Sequence, residues 1–247
     1  MEKREKERIT GKYRKMMEGP CRKMLLQRVG SEQEESFWKQ VQETYSRILD
    51  EAPDLGGEAN MMAHNFYQAA WLIALYEVLD KKLSAEEIEQ LMQEVLGKYL
   101  KLLAKVPGHF LIRHKWTRER INRHFEKYQE KLKDHLGKDW HNTWGMEVYR
   151  DVEEGVHYGL RGCPIYDCCK ERGAMAILPY LCNMDHTMLQ AMHLYLIRPT
   201  TCSAGDEVCD YWCVADDSPE AARYPLRERE DGLLLNGPKP DAEGVKT

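Results

Sequence analysis

The apolar periodicity of this chain changes at Gly137, from about 3.6 residues to 2, so helices must give way to strands there. Upstream, Phe37, Val41, Ile48 and Leu49 mark one helical stripe, with Ser31 as its expected N-cap. Residues 61–79 are apolar nearly all round (Phe66, Trp71, Ile73, Leu75, Tyr76), which predicts a central buried helix entered through the turn PDLGGEAN. Ser84 and Glu87 have capping-box spacing ahead of Ile88, Leu91, Val95, Tyr99 and Leu102. Thr117 is expected to cap a further helix that turns Ile121, Phe125, Tyr128 and Leu132 inward and stops at Gly137.

Beyond Gly137, Trp144, Met146 and Val148 alternate with Thr143, Glu147 and Tyr149. Val156, Tyr158 and Leu160 then alternate with His157 and Arg161, across an acidic turn at 151–155. Two short helices are predicted at 164–172 and 179–190, the second with Pro179 in its first turn, where the missing N–H costs nothing. Strands return at 193–201 and 207–214. The pattern predicts an α+β fold, in which N-terminal helices pack with a four-stranded antiparallel sheet carrying two inserted short helices. The expected organisation is a helical region over 1–137 and a sheet with its helix pair over 138–215, continuous with the helices in one domain. Residues 216–247, rich in charge, Pro and Gly, are expected to form a loose tail.

Composition narrows the function classes. A net charge of −5, a pI of 6.0 and a mean hydropathy of −0.66 describe a water-soluble chain. No apolar run approaches the roughly 18 residues a membrane span needs. MEKREKERIT has no apolar h-region, so a cytoplasmic location and reduced thiols are expected. The basic residues of segment 1–30 are interleaved with Glu2, Glu5, Glu7 and Glu18, and Tyr13 is its single aromatic. That describes a solvated helix with a frayed start and not a nucleic-acid arm. No paired C-x-x-C spacing exists, which leaves zinc open only through residues brought together by folding; no cofactor is expected.

Seven of the eight cysteines lie between Cys163 and Val214. Gly205 suits the left-handed position of a three-residue loop, 203–205. That loop would place Cys202 opposite Asp206, and Arg198 opposite Asp210 on the face of Leu194, Leu196, Val208, Trp212 and Val214. Such a pair is either a buried, satisfied salt bridge or a cavity-facing Arg198 that clamps a substrate carboxylate. The opposite face carries Cys209, Tyr211 and Cys213, with Cys213 expected as a packed thiol. Asp206 and Asp210 flank Cys209 and are expected to raise its pKa. On the 179–190 helix, Cys182, Asp185 and Leu189 share one face. Asp185 lies amid Leu181, Met184 and Met188, where a carboxylate is paired, protonated or reactive. His186, on a neighbouring face, is expected to be packed or solvated. Cys163 is expected as the N-cap before Pro164.

The ordered motifs Cys163-Pro164, Leu181-Cys182 to Asp185, Arg198 to Thr200, and Gly205-Asp206 to Cys209-Asp210 resemble those of the L-2-amino-thiazoline-4-carboxylic acid hydrolase family, as does the ALYEVL segment at 74–79. The similarity spans 55–214, with departures at His186 and Pro199, and with Cys168, Cys202 and Cys213 outside the family pattern. That family is named for hydrolysing a cyclic amidine-like thiazoline to N-carbamoyl-cysteine. The resemblance implies a hydrolase that opens a small carboxylate-bearing heterocycle. It implies Asp185, Cys209 and Asp210 as catalytic candidates, and Arg198, Cys182 and Thr200 as substrate-binding ones. Either Asp185 or Asp210 activates water, or Cys209 attacks directly; the acids beside Cys209 favour water. The alternative is a non-catalytic small-molecule binding or sensor domain using the same pocket. A small-molecule substrate is the expected partner, without nucleic acid or membrane, and with self-association left open.

Overall fold

The computed structural model describes residues 3–141 and 143–238. Its helices are α1 (Lys3–Val29), α2 (Glu34–Glu51), α3 (Ala63–Val78), α4 (Ala85–Leu103), α5 (Gly108–Arg113), α6 (Lys115–His135), α7 (Pro164–Glu171), α8 (Leu178–Ala191) and α9 (Pro219–Arg223). The strands are β1 (Gly145–Tyr149), β2 (Val156–Arg161), β3 (Leu194–Ile197), β4 (Val208–Ala215), β5 (Leu226–Glu228) and β6 (Leu234–Asn236). This is the α+β fold expected from the change of period. The chain passes repeatedly between two compact units. Among the described residues, the first comprises 3–99, 134–141, 143–144 and 163–181; the second comprises 100–133, 145–162 and 182–238.

In the first unit α3 is the central helix, because its apolar residues leave no polar stripe for water: Phe66, Trp71, Ile73 and Leu75 are all buried. The Trp71 ring stacks on Trp38 and Tyr45 of α2, at centroid distances of 5.5 and 4.0 Å. Helix α1 is amphipathic and not simply solvated; Ile9, Tyr13, Met17, Cys21 and Leu25 recur on one helical face and are buried. The capping box forms, with Glu87 N–H donating to Ser84 Oγ at 3.3 Å and Ser84 N–H to Glu87 Oε2 at 2.8 Å. Two cap assignments need correction. Gln33, not Ser31, precedes α2, since a turn intervenes. Thr117 lies inside α6, which starts at Lys115. Gly137 ends α6 as expected, with φ of 78°. Cys163 holds the N-cap position of α7, but its side chain makes no capping hydrogen bond.

The second unit is built on an antiparallel sheet of order β1-β2-β4-β3. Directly opposed residues share a face. Tyr158 faces Tyr211, Leu160 faces Cys209, and Val156, Cys213 and Leu196 line up across three strands on that same face. The other face carries His157, Trp212 and Ile197, with Gly159 opposite Asp210. There Ile197 and Val214 pack with Ala221 of α9.

The register of the last hairpin differs from the three-residue-loop expectation. Ile197 pairs with Trp212, and the alternation carries Arg198 onto the face of Tyr211, away from Asp210. Cys202–Ala204 form a 3-10 turn ending at Gly205 with φ of 95°, and Asp206 N–H closes it on the Thr201 carbonyl. Pro199 has no N–H for the ladder. Between the closed turn and the first ladder pair the β4 side is therefore longer than the β3 side, and a slip of this kind exchanges faces.

The expected loose tail is ordered through Pro238. Ser218 Oγ caps α9 by accepting from Ala221 N–H at 3.1 Å. The β5–β6 hairpin follows, and Leu233 and Asn236 are buried. Four apolar or amide side chains in a row suffice to dock this segment despite its charged surroundings. Residues 239–247 of the expected tail lie outside the described residues.

Candidate active site

Three residues of β4, Cys209, Tyr211 and Cys213, lie on one face of the sheet, and the turn before β4 supplies hydrogen-bond partners to the first of them. Cys209 Sγ accepts the backbone N–H of Cys202 at 3.2 Å and lies 3.2 Å from Thr201 Oγ1. Thr201 is itself pinned, its N–H donating to Asp206 Oδ2 at 2.9 Å. The Cys202 side chain, the Thr201 hydroxyl, the Cys202 N–H and the charge of Arg198 together outweigh burial and lower the Cys209 pKa to about 6. This reverses the expectation that the flanking acids would raise it. Asp206 spends a carboxylate oxygen on Thr201, and Asp210 is on the other face of the sheet. Cys213 behaves as the expected packed thiol, pushed up to about 12 by burial and by Asp185.

Asp185 reaches the same face from α8. Its Oδ2 accepts Tyr211 Oη–H at 2.7 Å and Arg198 Nη1–H at 3.2 Å. Burial raises its pKa, opposed by Arg198 and Tyr211. Its side chain as a whole is nevertheless 41% accessible, so it is not sealed from solvent. Tyr158 stacks on Tyr211 at 5.1 Å and receives the edge of Phe125 from α6 at 4.9 Å. Burial drives both phenols well above their ordinary range, so they remain neutral.

Arg198 is fully buried. Nη1 donates to the Cys182 carbonyl at 2.8 Å as well as to Asp185, and Nη2 donates to the Leu234 carbonyl at 3.2 Å. Its backbone N–H donates to Asn236 Oδ1 at 2.8 Å. The guanidinium thus ties α8, β3 and β6 together and anchors Asp185; it is neither the partner of Asp210 nor open to a substrate carboxylate. Cys182 contributes its carbonyl to that network. Thr200 contributes its carbonyl to Asp210 N–H at 3.1 Å, while its neighbour Thr201 meets the thiol. His186 is packed, as one of its two expected states, and burial with Arg198 lowers its pKa to about 3.

Asp210 belongs to a different cluster. His157 Nε2 lies 2.7 Å from Asp210 Oδ1, and Nδ1 lies 2.8 Å from Asp151 Oδ1. Burial disfavours the imidazolium, but the two carboxylates outweigh it and raise the His157 pKa. The raised folded-state value means this stabilisation is fully present below the unfolded histidine value, about 6.5, and is lost as pH rises through the folded value. Urea unfolding across that interval is expected to show stability falling with pH, with a shallower fall in Asp210→Asn.

An open groove of about 590 Å³ in the first unit is lined by Arg47, Glu51, Glu77, Lys81, Glu171 and Arg172. Its charges largely satisfy one another, as in the 2.9 Å Arg172–Glu77 pair. Among the described residues, no group of His, Cys, Asp and Glu is placed to hold a metal ion. No helix among them is long and apolar enough to cross a membrane.

What this face of the sheet presents is a thiol, Cys209, held by the turn before β4, and a carboxylate, Asp185, held by Tyr211. The family model of L-2-amino-thiazoline-4-carboxylic acid hydrolase matches residues 62–213, more than half of the chain, and the chain belongs to that family. No curated protein and no solved structure matches it.

Proposed function

We propose that the protein is a hydrolase that opens a small carboxylate-bearing heterocycle, a cyclic amidine or amide of the thiazoline kind, with Cys209 as nucleophile. The observation that carries this is the Cys209 thiol held by Thr201 and the Cys202 N–H on the face that also presents Asp185. Direct attack by Cys209 is favoured over water activated by a carboxylate, because Asp210 is turned away and the thiol pKa is about 6.

On a thiazoline, the thiolate attacks C2 and the C2=N electron pair moves to nitrogen. The C2–ring sulfur bond then breaks, and the ring sulfur leaves as a thiolate that takes up a proton. The enzyme is left holding an isothiourea through Cys209. Water adds to that carbon, expels the Cys209 thiolate and leaves a carbamoyl group. Asp185 suits two tasks: pairing with the amidinium nitrogen and passing a proton to the departing sulfur. Tyr211 and Arg198 hold its Oδ2, leaving Oδ1 for substrate. Arg198 is a positioning residue in this scheme.

Incubation with a panel of thiazolines, hydantoins and lactams, read by mass spectrometry, is expected to give a ring-opened product gaining one water. The rate is expected to rise with pH through about 6, as Cys209 ionises. Tight, saturable binding without product from any member would favour a non-catalytic sensor.

A further inference from the structure

We infer that Cys202 and Cys209 form a peroxide-sensitive thiol pair, in which Cys209 is oxidised and Cys202 resolves it as a disulfide. The bond itself is independent of hydrolysis; its consequence for turnover rests on the hydrolase function proposed above.

Three observations carry it. The backbone N–H of Cys202 donates to Cys209 Sγ at 3.2 Å, so that sulfur lies against the residue that carries the second thiol, whose own Sγ is 4.0 Å from the Glu207 carbonyl. Cys202 is only partly buried, whereas Cys209 and Cys213 are buried, which gives the pair one accessible member. Cys202 also opens the 3-10 turn that Gly205 ends, and a side chain added at Gly205 would meet nothing within 4 Å. The Gly205 end of the turn is therefore exposed and not packed over, and the short turn that carries Cys202 is not clamped from that end. None of the eight cysteines is in a disulfide, so both thiols are present to react.

The co-reactant is a hydroperoxide. The Cys209 thiolate attacks the terminal oxygen; the S–O bond forms, the O–O bond breaks, and hydroxide or alkoxide departs and is protonated. The Cys202 sulfur then attacks Cys209 Sγ. The S–S bond forms, the S–O bond breaks, and water leaves with the Cys202 proton. Two thiols are oxidised and one peroxide is reduced. A flanking cysteine of this kind protects a nucleophilic thiol from irreversible oxidation and silences it reversibly.

The test uses the full chain, reduced and then treated with hydrogen peroxide, alkylated, and cleaved after Glu207 so that Cys202 and Cys209 fall on separate fragments. The wild type is expected to give the two fragments joined through Cys202 and Cys209 and separated by dithiothreitol. Cys202→Ser is expected to lose the linkage and to yield a dimedone-trapped sulfenic acid at Cys209. Cys213→Ser, which changes a thiol outside the pair, is expected to keep the linkage. Full alkylation of Cys209 after peroxide, or linkage of Cys209 to Cys213 instead, overturns the inference. Turnover on the same samples separates it from the hydrolase function. A linked protein that still hydrolyses its substrate removes Cys209 as nucleophile and leaves the pair standing. An unlinked protein whose turnover needs Cys209 removes the pair alone.

Discussion

Cys209→Ala is expected to lower kcat by about a thousandfold or more while the fold survives. The magnitude follows from removing the nucleophile itself, since residual turnover then rests on binding and orientation alone. Cys209→Ser is expected to be nearly as inactive. Its hydroxyl can keep the hydrogen bonds of Thr201 and Cys202, but the donors that bring a thiol to about 6 cannot ionise an alcohol near neutral pH. Losing one buried sulfur costs little structure here, because Tyr211 and Leu160 continue to fill that face. Circular dichroism and a melting curve on both variants, beside their steady-state rates, check the two halves of the prediction together. A serine variant within a few-fold of wild type would transfer the attack to water.

Arg198→Met is expected to act through stability. The arginine is fully buried and offers donors to the Cys182 carbonyl, the Leu234 carbonyl and Asp185. Methionine fills similar volume but removes the Arg198 donors from two part-buried carbonyls and from one side of Asp185. Asp185 keeps contact with water through its accessible surface, so its share is discounted. The total is expected to be about 3 kcal/mol, toward the lower end of broken buried pairs. Arg198→Lys is expected to recover only part of that, since an ammonium cannot span three acceptors set in a planar fork. Denaturant unfolding measures the effect. An unchanged midpoint with lost substrate affinity would mean that Arg198 touches substrate instead.

How far the sequence could be read depended on the range of the forces involved. The α3 core, the Ser84–Glu87 capping box and the alternation in β1, β2 and β4 are set by residues close in the chain, and each was legible. The presence of Cys209, Tyr211 and Cys213 on one face followed from period 2 alone. The register between β3 and β4 did not, because it turns on where the 3-10 turn closes and on the ladder donor missing at Pro199. The one-residue slip separates Arg198 from Asp210, and Cys209 has acids as chain neighbours but the Cys202 N–H and the Thr201 hydroxyl as spatial ones. The tail was missed for a related reason. Leu233 to Asn236 is too short to show a period, and what orders it is docking against Arg198 and Asn183, remote in sequence. Thr201 carried no signal of its own beside Thr200.

The central claim, attack by Cys209 on a ring carbon, is tested most directly by acid-quenching the protein within its first turnover of a thiazoline carboxylate and weighing the fragment that carries Cys209. Ring opening expels no atom, so the fragment is expected to be heavier by one intact substrate. The added mass should be absent in Cys209→Ala and should decay as product appears. Product formation at an undiminished rate in Cys209→Ala, with no added mass on the wild-type fragment, would contradict the account and return the chemistry to Asp185 and water.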